Sequence, residues 1–442
     1  MKRYIVITLI FFTFILIQCA RQDTIINKLV INSFIEDSYL QEAGALEGDI
    51  IVQYDGKTVK SQAHLIELKN KLNKTEVEIV LLRDGEKIKL QVPAGTLGAT
   101  LKEFLPDHKP ADDAVLIEDI GKLNWGIGMD NSFLACAFLL EQKYGNKLSY
   151  ADLLGISGYG FKLNFFDRYC PSSPDATVGF DSGGYLLKKL GYSARYYHLL
   201  MEGDFDETAI YKSEDEMRQL IRTSLDNGWP VIAIDLIEAP EWGLITGYQK
   251  GGEEFFCRTY FDKTEGYEIA QNFPWVILVI DGKKETEIKP LYSESLKLAE
   301  EMYKTPVYRN YFSGITALEE WIKALKDENY YTMNTDELNE ISHANWWTYV
   351  SLEIARGVCN QYLSANVDKF ETKPELINQL AQIYKSEADL LVENYDVVPN
   401  QFGSTPQFWS SELRAKQIVV MKELLVLEEK ALKLLKQINA TY

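Results

Sequence analysis

The segment from Gly128 to Phe161 constrains the fold of this chain most strongly. Its polar residues Asp130, Asn131 and Ser132 are types whose side chains accept hydrogen bonds from the unpaired N–H groups at the start of a helix. They directly precede the apolar run Phe133–Leu140, whose length and composition are typical of a buried helix. The sequence therefore predicts a core helix that begins at these three polar residues.

Two segments further along the chain are predicted to be neighbouring buried strands. They are Gly228–Asp235 (GWPVIAID) and Gly243–Tyr248 (GLITGY), and a glycine-rich turn follows the second. Glu241 and Trp242 stand at the head of that second strand. A buried helix combined with buried strands indicates a mixed α+β domain.

A cysteine nucleophile needs a thiolate at the first turn of a helix and a histidine that accepts its proton. This chain has Asn131 at the helix start and Glu241 at the head of the strand. A carboxamide has no ionisable proton in the useful range and forms no thioester, so Asn131 supplies only hydrogen bonds. The pattern predicts the framework of such an enzyme without its catalytic pair.

The segment from about Asn124 to Asp262 resembles the papain-like fold of the bacteriocin-processing peptidases, and more closely the family of butirosin biosynthesis protein H. The resemblance rests on the helix start, on the turn Gly155–Phe161 (GISGYGF) and on the Gly-Tyr pair of the later strand. It implies that Asn131 replaces the family's Cys, that Glu241 replaces its His, and that Asp262 matches its Asp. A papain-like domain without cysteine catalysis is therefore expected.

Other interpretations of these residues stay open. Cys136 is an alternative nucleophile and His343 its candidate base, for a cysteine peptidase or acyltransferase. However, Cys136 stands at a core-facing spacing inside the helix, and His343 adjoins the aromatic pair Trp346 and Trp347. For Asn131 the alternative role is that of an N-cap alone.

The carboxylates suggest two further sites. Glu241 and Asp262 are the candidate pair for water activation, and with Asp130 and Asp181 they are candidate ligands of a hard cation. None of these residues follows a recognised metal-loop spacing. We therefore expect neither a metal ion nor a cofactor.

Residues 26–105 form a β-rich unit in the predicted organisation. The segment Ala43–Val59 (AGALEGDIIVQYDGKTV) indicates a turn, a strand and a hairpin. Leu29–Phe34 is a predicted strand, His64–Leu72 a predicted amphipathic helix, and Val77–Arg83 with Lys87–Val92 a predicted strand pair.

This unit resembles a PDZ domain of the bacterial protease type. The residues that carry the resemblance are Gly44, Leu46, Gly48, Asp49, Ile50 and Gly56. PDZ domains bind an extended peptide or a protein C-terminus by adding a strand to an exposed edge, and a glycine-rich loop binds the terminal carboxylate. Gly95, Thr96, Leu97 and Gly98 are the candidate loop in a permuted arrangement; alternatively, they turn the chain out of the domain.

Residues 1–19 have the features of an export signal. Lys2 and Arg3 precede the apolar stretch Tyr4–Ile17, which is short for a membrane span. The residues that follow resemble a lipobox ending at Cys19, from which Gln18 departs. We expect an exported, extracytoplasmic protein anchored to the cell membrane, through lipidated Cys19 or an uncleaved signal segment.

The expected fold class is α+β multidomain, with an N-terminal PDZ-like β-sandwich, a central papain-like α+β domain and a C-terminal helical bundle. A polar linker at Pro106–Asp113 separates the first domain from the papain-like domain at 114–290, and the bundle spans 291–442. Helical periodicity predicts four helices in the bundle, at Ile315–Leu325, Asp336–Leu363, Pro374–Asn394 and Trp409–Ile438.

Cysteine usage and charge complete the expectations. A Cys170–Cys257 disulfide is permitted after export, but the cysteine spacing indicates no disulfide framework and no zinc site. The loop that starts at Cys170 has either a functional role, as a lid or a substrate-facing wall, or a purely structural one. A formal net charge of −19 argues against a nucleic-acid partner.

The expected function is peptide binding by an exported protein whose papain-like domain does not turn its ligand over.

Overall fold

The computed structural model describes residues 28–34, 38–71, 74–83, 85–95, 97–104, 107–125, 128–201, 203, 206–331, 335–399 and 409–440. It has a mixed α+β fold with a helical C-terminal region. The described residues divide into two compact units, with the boundary between Lys109 and Pro110, inside the segment predicted to be a linker. The first unit also includes the short segment Asp262–Glu268.

An antiparallel sheet with strand order β5-β4-β2-β1-β6 forms the first unit, and β3 pairs with β2. The strands are β1 (Lys28–Phe34), β2 (Ile50–Tyr54), β3 (Lys57–Thr58), β4 (Glu76–Arg83), β5 (Glu86–Pro93) and β6 (Ala99–Phe104). The helices are α1 (Tyr39–Glu42) and α2 (Gln62–Asn70). The predicted strands and helix are confirmed within a few residues, whereas β6 was not predicted.

Asp49 fixes the turn that leads into β2. Its buried carboxylate accepts hydrogen bonds from Arg83 Nε and Nη2, both at 2.7 Å, and from the N–H of Leu46 at 2.8 Å. Burial raises the pKa of Asp49, but these bonds outweigh it and hold the pKa below its usual value. Asp49 therefore has a structural role in this unit.

A second sheet forms the centre of the second unit, with strand order β10-β9-β15-β11-β12-β13-β14 and β7 paired with β12. Its strands are β7 (Val115–Leu116), β9 (Tyr192–Leu199), β10 (Tyr211–Lys212), β11 (Val231–Ile234), β12 (Trp242–Gln249), β13 (Glu254–Arg258), β14 (Glu268–Ile269) and β15 (Val276–Lys283). β11 and β12 are fully buried neighbours, as predicted. β9 and β15 were not predicted.

Four helices precede or interrupt this sheet along the chain: α3 (Ser132–Tyr144), α4 (Tyr150–Ile156), α5 (Ser182–Lys189) and α6 (Glu214–Asp226). α3 is the predicted core helix, and nine of its residues are buried. A separate three-stranded sheet consists of β8 (Asn164–Phe165), β16 (Val307–Tyr308) and β17 (Tyr311–Ser313).

The C-terminal helices belong to the same compact unit. They are α7 (Lys289–Lys304), α8 (Gly314–Lys326), α9 (Thr335–Ala365), α10 (Pro374–Glu393) and α11 (Ser411–Asn439). The four predicted helices correspond to α8–α11 and are confirmed; α7 was not predicted. Trp321 and Trp409, both fully buried, lie in the apolar core that these helices share with β8.

Arg356 of α9 is buried among three other elements. Its guanidinium donates to Glu387 Oε2 of α10 at 2.9 Å and to Glu428 Oε1 of α11 at 2.6 Å. It also donates to the carbonyl oxygen of Gly160 at 2.7 Å. All three charged side chains are at most 1% exposed. This charge cluster joins the C-terminal helices to the turn after α4.

Across the described ranges, no helix combines the length and the apolar character that a membrane span requires. The predicted signal segment 1–19, including the lipidation candidate Cys19, lies outside the described residues.

Candidate functional site

The start of α3 is capped by Asn131. Its side-chain oxygen accepts a hydrogen bond from the N–H of Leu134 at 3.1 Å, and its own N–H donates to the hydroxyl of Tyr150 at 3.0 Å. This is the N-cap role, one of the two interpretations of Asn131 from the sequence.

The side chain that faces Glu241 is that of Ser132, the first residue of α3. Its hydroxyl donates to Glu241 Oε2 at 2.5 Å and accepts from the backbone N–H of Trp242 at 3.2 Å. The residue-by-residue alignment with the resembling family placed the nucleophile at Asn131. In the structure, the side chain that contacts Glu241 is that of Ser132, one residue further along.

Burial makes Glu241 a stronger base than an ordinary glutamate. The pKa of Glu241 is raised because its carboxyl is largely removed from water and because the negative charge of Asp175 lies nearby, while the hydrogen bond from Ser132 acts in the opposite direction. Ser132 itself is only 5% exposed. The pair is thus a tight, mostly enclosed contact at the positive end of a helix.

Asp175 connects this pair to the loop that starts at Cys170. Its Oδ2 accepts from the indole N–H of Trp242 at 2.8 Å, and its Oδ1 accepts from the N–H and the hydroxyl of Thr177, both at 2.7 Å. Trp242 is therefore bound at two points: its indole N–H donates to Asp175, and its backbone N–H donates to Ser132.

Lys162 holds the same loop in place. Its buried ammonium donates to the carbonyl oxygens of Asp175, Val178 and Phe180 at 2.7, 2.6 and 3.1 Å. Burial lowers the pKa of Lys162 to about 8, against the opposing charges of Asp175 and Asp181. Of the two predicted roles for the loop, these bonds favour the structural one.

Cys136 lacks the properties of a nucleophilic thiol. It has no exposed surface, and its pKa is raised well above the usual value by burial and by the negative charge of Glu241. A reactive cysteine needs a lowered pKa and an accessible sulfur. His343 lies on α9 with its ring 5.9 Å from that of Trp346, and burial lowers its pKa, which keeps the imidazole neutral.

The remaining sequence candidates are placed as follows. Asp262 is buried at 3% exposure and begins the segment that belongs to the first unit. Asp181, a candidate cation ligand from the sequence, caps α5 by accepting from the N–H of Gly184 at 2.8 Å. Within the described ranges, no group of three or more His, Cys, Asp or Glu side chains is arranged to hold a metal ion. Cys170 is a free thiol, so the permitted Cys170–Cys257 disulfide is not formed.

In the first unit, the predicted loop leads directly into β6. Gly95 and Gly98 have φ of +119° and +73°, in the left-handed region that favours glycine. The carbonyl oxygen of Leu97 accepts from the N–H of Leu40 at 3.3 Å, and a Cβ at Gly98 would lie 2.7 Å from the Cα of Ser38. Thr96 lies outside the described residues. The loop is thus held closely against the start of α1.

β6 is the last strand of its sheet and pairs with β1. The N–H of Gln62, the first residue of α2, donates to Glu103 Oε2 of β6 at 2.8 Å. This bond places the start of α2 beside the C-terminal end of β6.

Comparisons with known protein-family models and with curated protein sequences find no match for this chain. Sequence reasoning missed two parts of the sites, namely the contact of Ser132 with Glu241 and the strand β6. The signal for Ser132 was its position directly after the N-cap residue. The signal for β6 was the alternation of apolar and polar residues in ATLKEF.

Proposed function

We propose that this chain is an exported protein, tethered to the cell membrane by its N-terminal residues. Its first unit is a PDZ-like domain that binds extended peptides or protein C-termini. Its second unit contains a papain-like domain without cysteine catalysis. The observation that carries the proposal is the position of β6, an edge strand entered directly from the glycine loop Gly95–Gly98.

The exposed edge of β6 provides what a peptide added as an extra strand requires. The backbone of Ala99–Lys102 offers N–H and C=O groups along the end of the sheet, which pair with an incoming strand. The glycine loop precedes this strand, so its N–H groups are available to a carboxylate at the end of the peptide. The bond from Gln62 to Glu103 holds the start of α2 beside the end of this strand.

The second unit supports the absence of cysteine catalysis. The cap residue Asn131 cannot form a thioester, and the buried thiol of Cys136 has a raised pKa. Loss of nucleophile and base together leaves a triad hydrolase with about a thousandth or less of its turnover.

The test uses fluorescence polarisation with a library of labelled peptides that have free or amidated C-termini. We expect selected free-carboxylate peptides to bind and their amidated forms to bind about tenfold more weakly or worse. Gly98→Ala is the loop variant and Gly56→Ala its matched control. Both glycines have φ of +73°, but only a Cβ at Gly98 meets Ser38, while the space at Gly56 is open.

Both variants therefore carry the same backbone strain, and only Gly98→Ala displaces the loop. A selective loss of peptide affinity in Gly98→Ala supports the proposal. Equal binding of free and amidated peptides by the wild type, or equal affinities in the two variants, would contradict it.

A second candidate function is serine-type acyl transfer. It is favoured by the 2.5 Å hydrogen bond from Ser132 to Glu241. The hydroxyl proton of Ser132 would pass to Glu241 as the oxygen attacks an acyl carbon, and Glu241 would return it to the leaving group. Labelling with a fluorophosphonate, followed by peptide mapping, tests this function. Modification of Ser132 that is lost in Glu241→Gln supports it, and an unmodified Ser132 excludes it.

A further inference from the structure

A pocket of about 230 Å³ is lined by Trp242 and by the loop that carries Asp175, and its lining includes neither Ser132 nor Glu241. Its walls come from the loop after Cys170, from strands β9, β11, β12 and β15, and from the hairpin of β16 and β17. Ligand pockets for larger organic molecules usually measure about 300–1,000 Å³, so this one suits a small molecule.

Two carboxylates lie at one part of the wall. Asp175 uses three hydrogen bonds to Thr177 and Trp242, and a carboxylate has room for about four. Asp181 accepts from Gly184 and Tyr196 through Oδ1, at 2.8 and 3.3 Å. Within the described residues, its other oxygen has no hydrogen-bond donor. Both groups therefore retain capacity for a cationic ligand.

Arg309 supplies the opposite charge. It is the first residue of the two-residue turn between β16 and β17, with φ of +55°, so the hairpin fixes its position at the rim of the pocket. Its side chain is exposed and has no hydrogen bond or ion pair with another described residue. A guanidinium of this kind binds a carboxylate through two parallel hydrogen bonds.

Aromatic side chains complete the wall. Trp242 and Trp275 both line the pocket, and Trp275 is 38% exposed. Indole faces attract ammonium and guanidinium groups, most strongly where water is partly excluded. His198, also in the wall, has a pKa lowered by burial and is therefore neutral near pH 7. It adds no positive charge to oppose a cationic ligand.

We infer that this pocket binds a free cationic amino acid. The lining itself presents two carboxylates and one guanidinium, an arrangement that matches a ligand with cationic groups and one carboxylate. The ligand carboxylate pairs with Arg309, and its cationic groups lie between Asp175, Asp181 and the indole rings. The inference goes beyond the proposed function and does not depend on peptide binding at β6.

Isothermal titration calorimetry of the full chain with L-lysine and L-arginine tests the site. Cadaverine, which lacks the carboxylate, and hexanoate, which lacks the amines, are the comparison ligands. We expect saturable binding of lysine or arginine, weaker binding of cadaverine and none of hexanoate. Arg309→Gln should weaken lysine binding about tenfold and leave cadaverine binding unchanged, because only lysine has the carboxylate that Arg309 contacts.

Two matched controls separate recognition from structural effects. Arg195 is an exposed arginine of β9 outside the pocket lining, so Arg195→Gln changes the net charge equally. Asp206 makes the same turn to Thr208, through its N–H and hydroxyl at 2.8 and 2.7 Å, that Asp175 makes to Thr177. Asp175→Asn should abolish binding of both lysine and cadaverine, whereas Asp206→Asn should retain it.

The inference is overturned if lysine and arginine show no saturable binding, or if each pocket variant behaves like its control. It is also overturned if hexanoate binds as well as lysine, since the site would then select only for a carboxylate. Peptide binding at β6, measured on the same preparations, distinguishes failure of this inference from failure of the proposed function.

Discussion

Replacement of Arg356 by methionine tests the buried charge cluster of the second unit. The guanidinium contacts Glu387 at 2.9 Å, Glu428 at 2.6 Å and the carbonyl oxygen of Gly160 at 2.7 Å. Methionine has a comparable length and no charge. Arg356→Met therefore leaves two buried carboxylates and the carbonyl oxygens of Gly160 and Lys162 without their shared donor.

The expected loss in the free energy of unfolding follows from these contacts. Removal of one partner from a buried ion pair costs about 3–5 kcal/mol, and we expect about 5 kcal/mol at pH 7 because two carboxylates lose their partner. The pKa of Glu387 is already raised by burial and by the charge of Glu428, while Arg356 lowers it. Loss of Arg356 raises this pKa further.

The loss of unfolding free energy in Arg356→Met depends on pH with a definite sign. A carboxyl with a raised folded-state pKa keeps its proton in the folded state longer than in the unfolded state. Its stability contribution is complete below the usual pKa of 4.5 and is lost as the pH rises. Because loss of Arg356 raises the folded-state pKa of Glu387 further, the deficit of Arg356→Met should grow as the pH rises, by up to about 1.4 kcal/mol per pH unit.

Urea unfolding followed by tryptophan fluorescence measures this deficit, because Trp321 and Trp409 are buried in the same group of helices. Arg356→Met combined with Glu387→Gln and Glu428→Gln removes the buried charges together and should remove the pH dependence of the deficit. A loss below about 1 kcal/mol at pH 7, or an equal loss at pH 5 and pH 7, would refute the reasoning.

Four further predictions concern the second unit. Ser132→Ala removes the donor to Glu241 and should lower the free energy of unfolding by about 1–3 kcal/mol in urea titrations, and no change would show that the bond is not formed. Because the pKa of Glu241 is raised above 4.5, the wild type should lose stability relative to Glu241→Gln as the pH rises above that value; parallel pH profiles would contradict this. Lys162, whose folded-state pKa is about 8 against a usual 10.5, should make the wild type more stable with rising pH across that window by about 3 kcal/mol relative to Lys162→Met, as measured by urea unfolding at each pH. Among Cys136, Cys170 and Cys359, a small alkylating reagent should label the partly exposed Cys170 first in mass spectrometry, and rapid labelling of Cys136 would restore the cysteine-enzyme interpretation.

Local patterns predicted a large part of the fold. The helices α8–α11 follow apolar spacings that are evident in the sequence, and β11 and β12 are apolar runs bounded by turn residues. α7 was missed although Pro290 near its start is a recognised helix signal. Its buried face includes Tyr292, Ser293 and Ser295, which weakens the apolar periodicity. β9 was missed because it carries three exposed residues in succession.

The site was less predictable because its contacts are not local. Ser132 and Glu241 are 109 residues apart, and only the fold shows which of the polar residues at the start of α3 points towards the strand. The bond from Trp242 to Asp175 also depends on the path of a loop that Lys162 fixes through backbone carbonyls. Carbonyl contacts leave no signature in residue types, so sequence patterns do not reveal them.

The charge cluster around Arg356 also affects the order in which the second unit can be completed. Gly160 lies early in this unit, whereas Glu428 lies on α11, the last helix of the described chain. During synthesis, Arg356 and Glu387 emerge before Glu428, so the guanidinium cannot be enclosed with both of its counter-charges until α11 follows. Docking of α11 is thus the event that closes the core of this unit, and a chain shortened before Glu428 would expose an incomplete, charged interior to quality-control proteases.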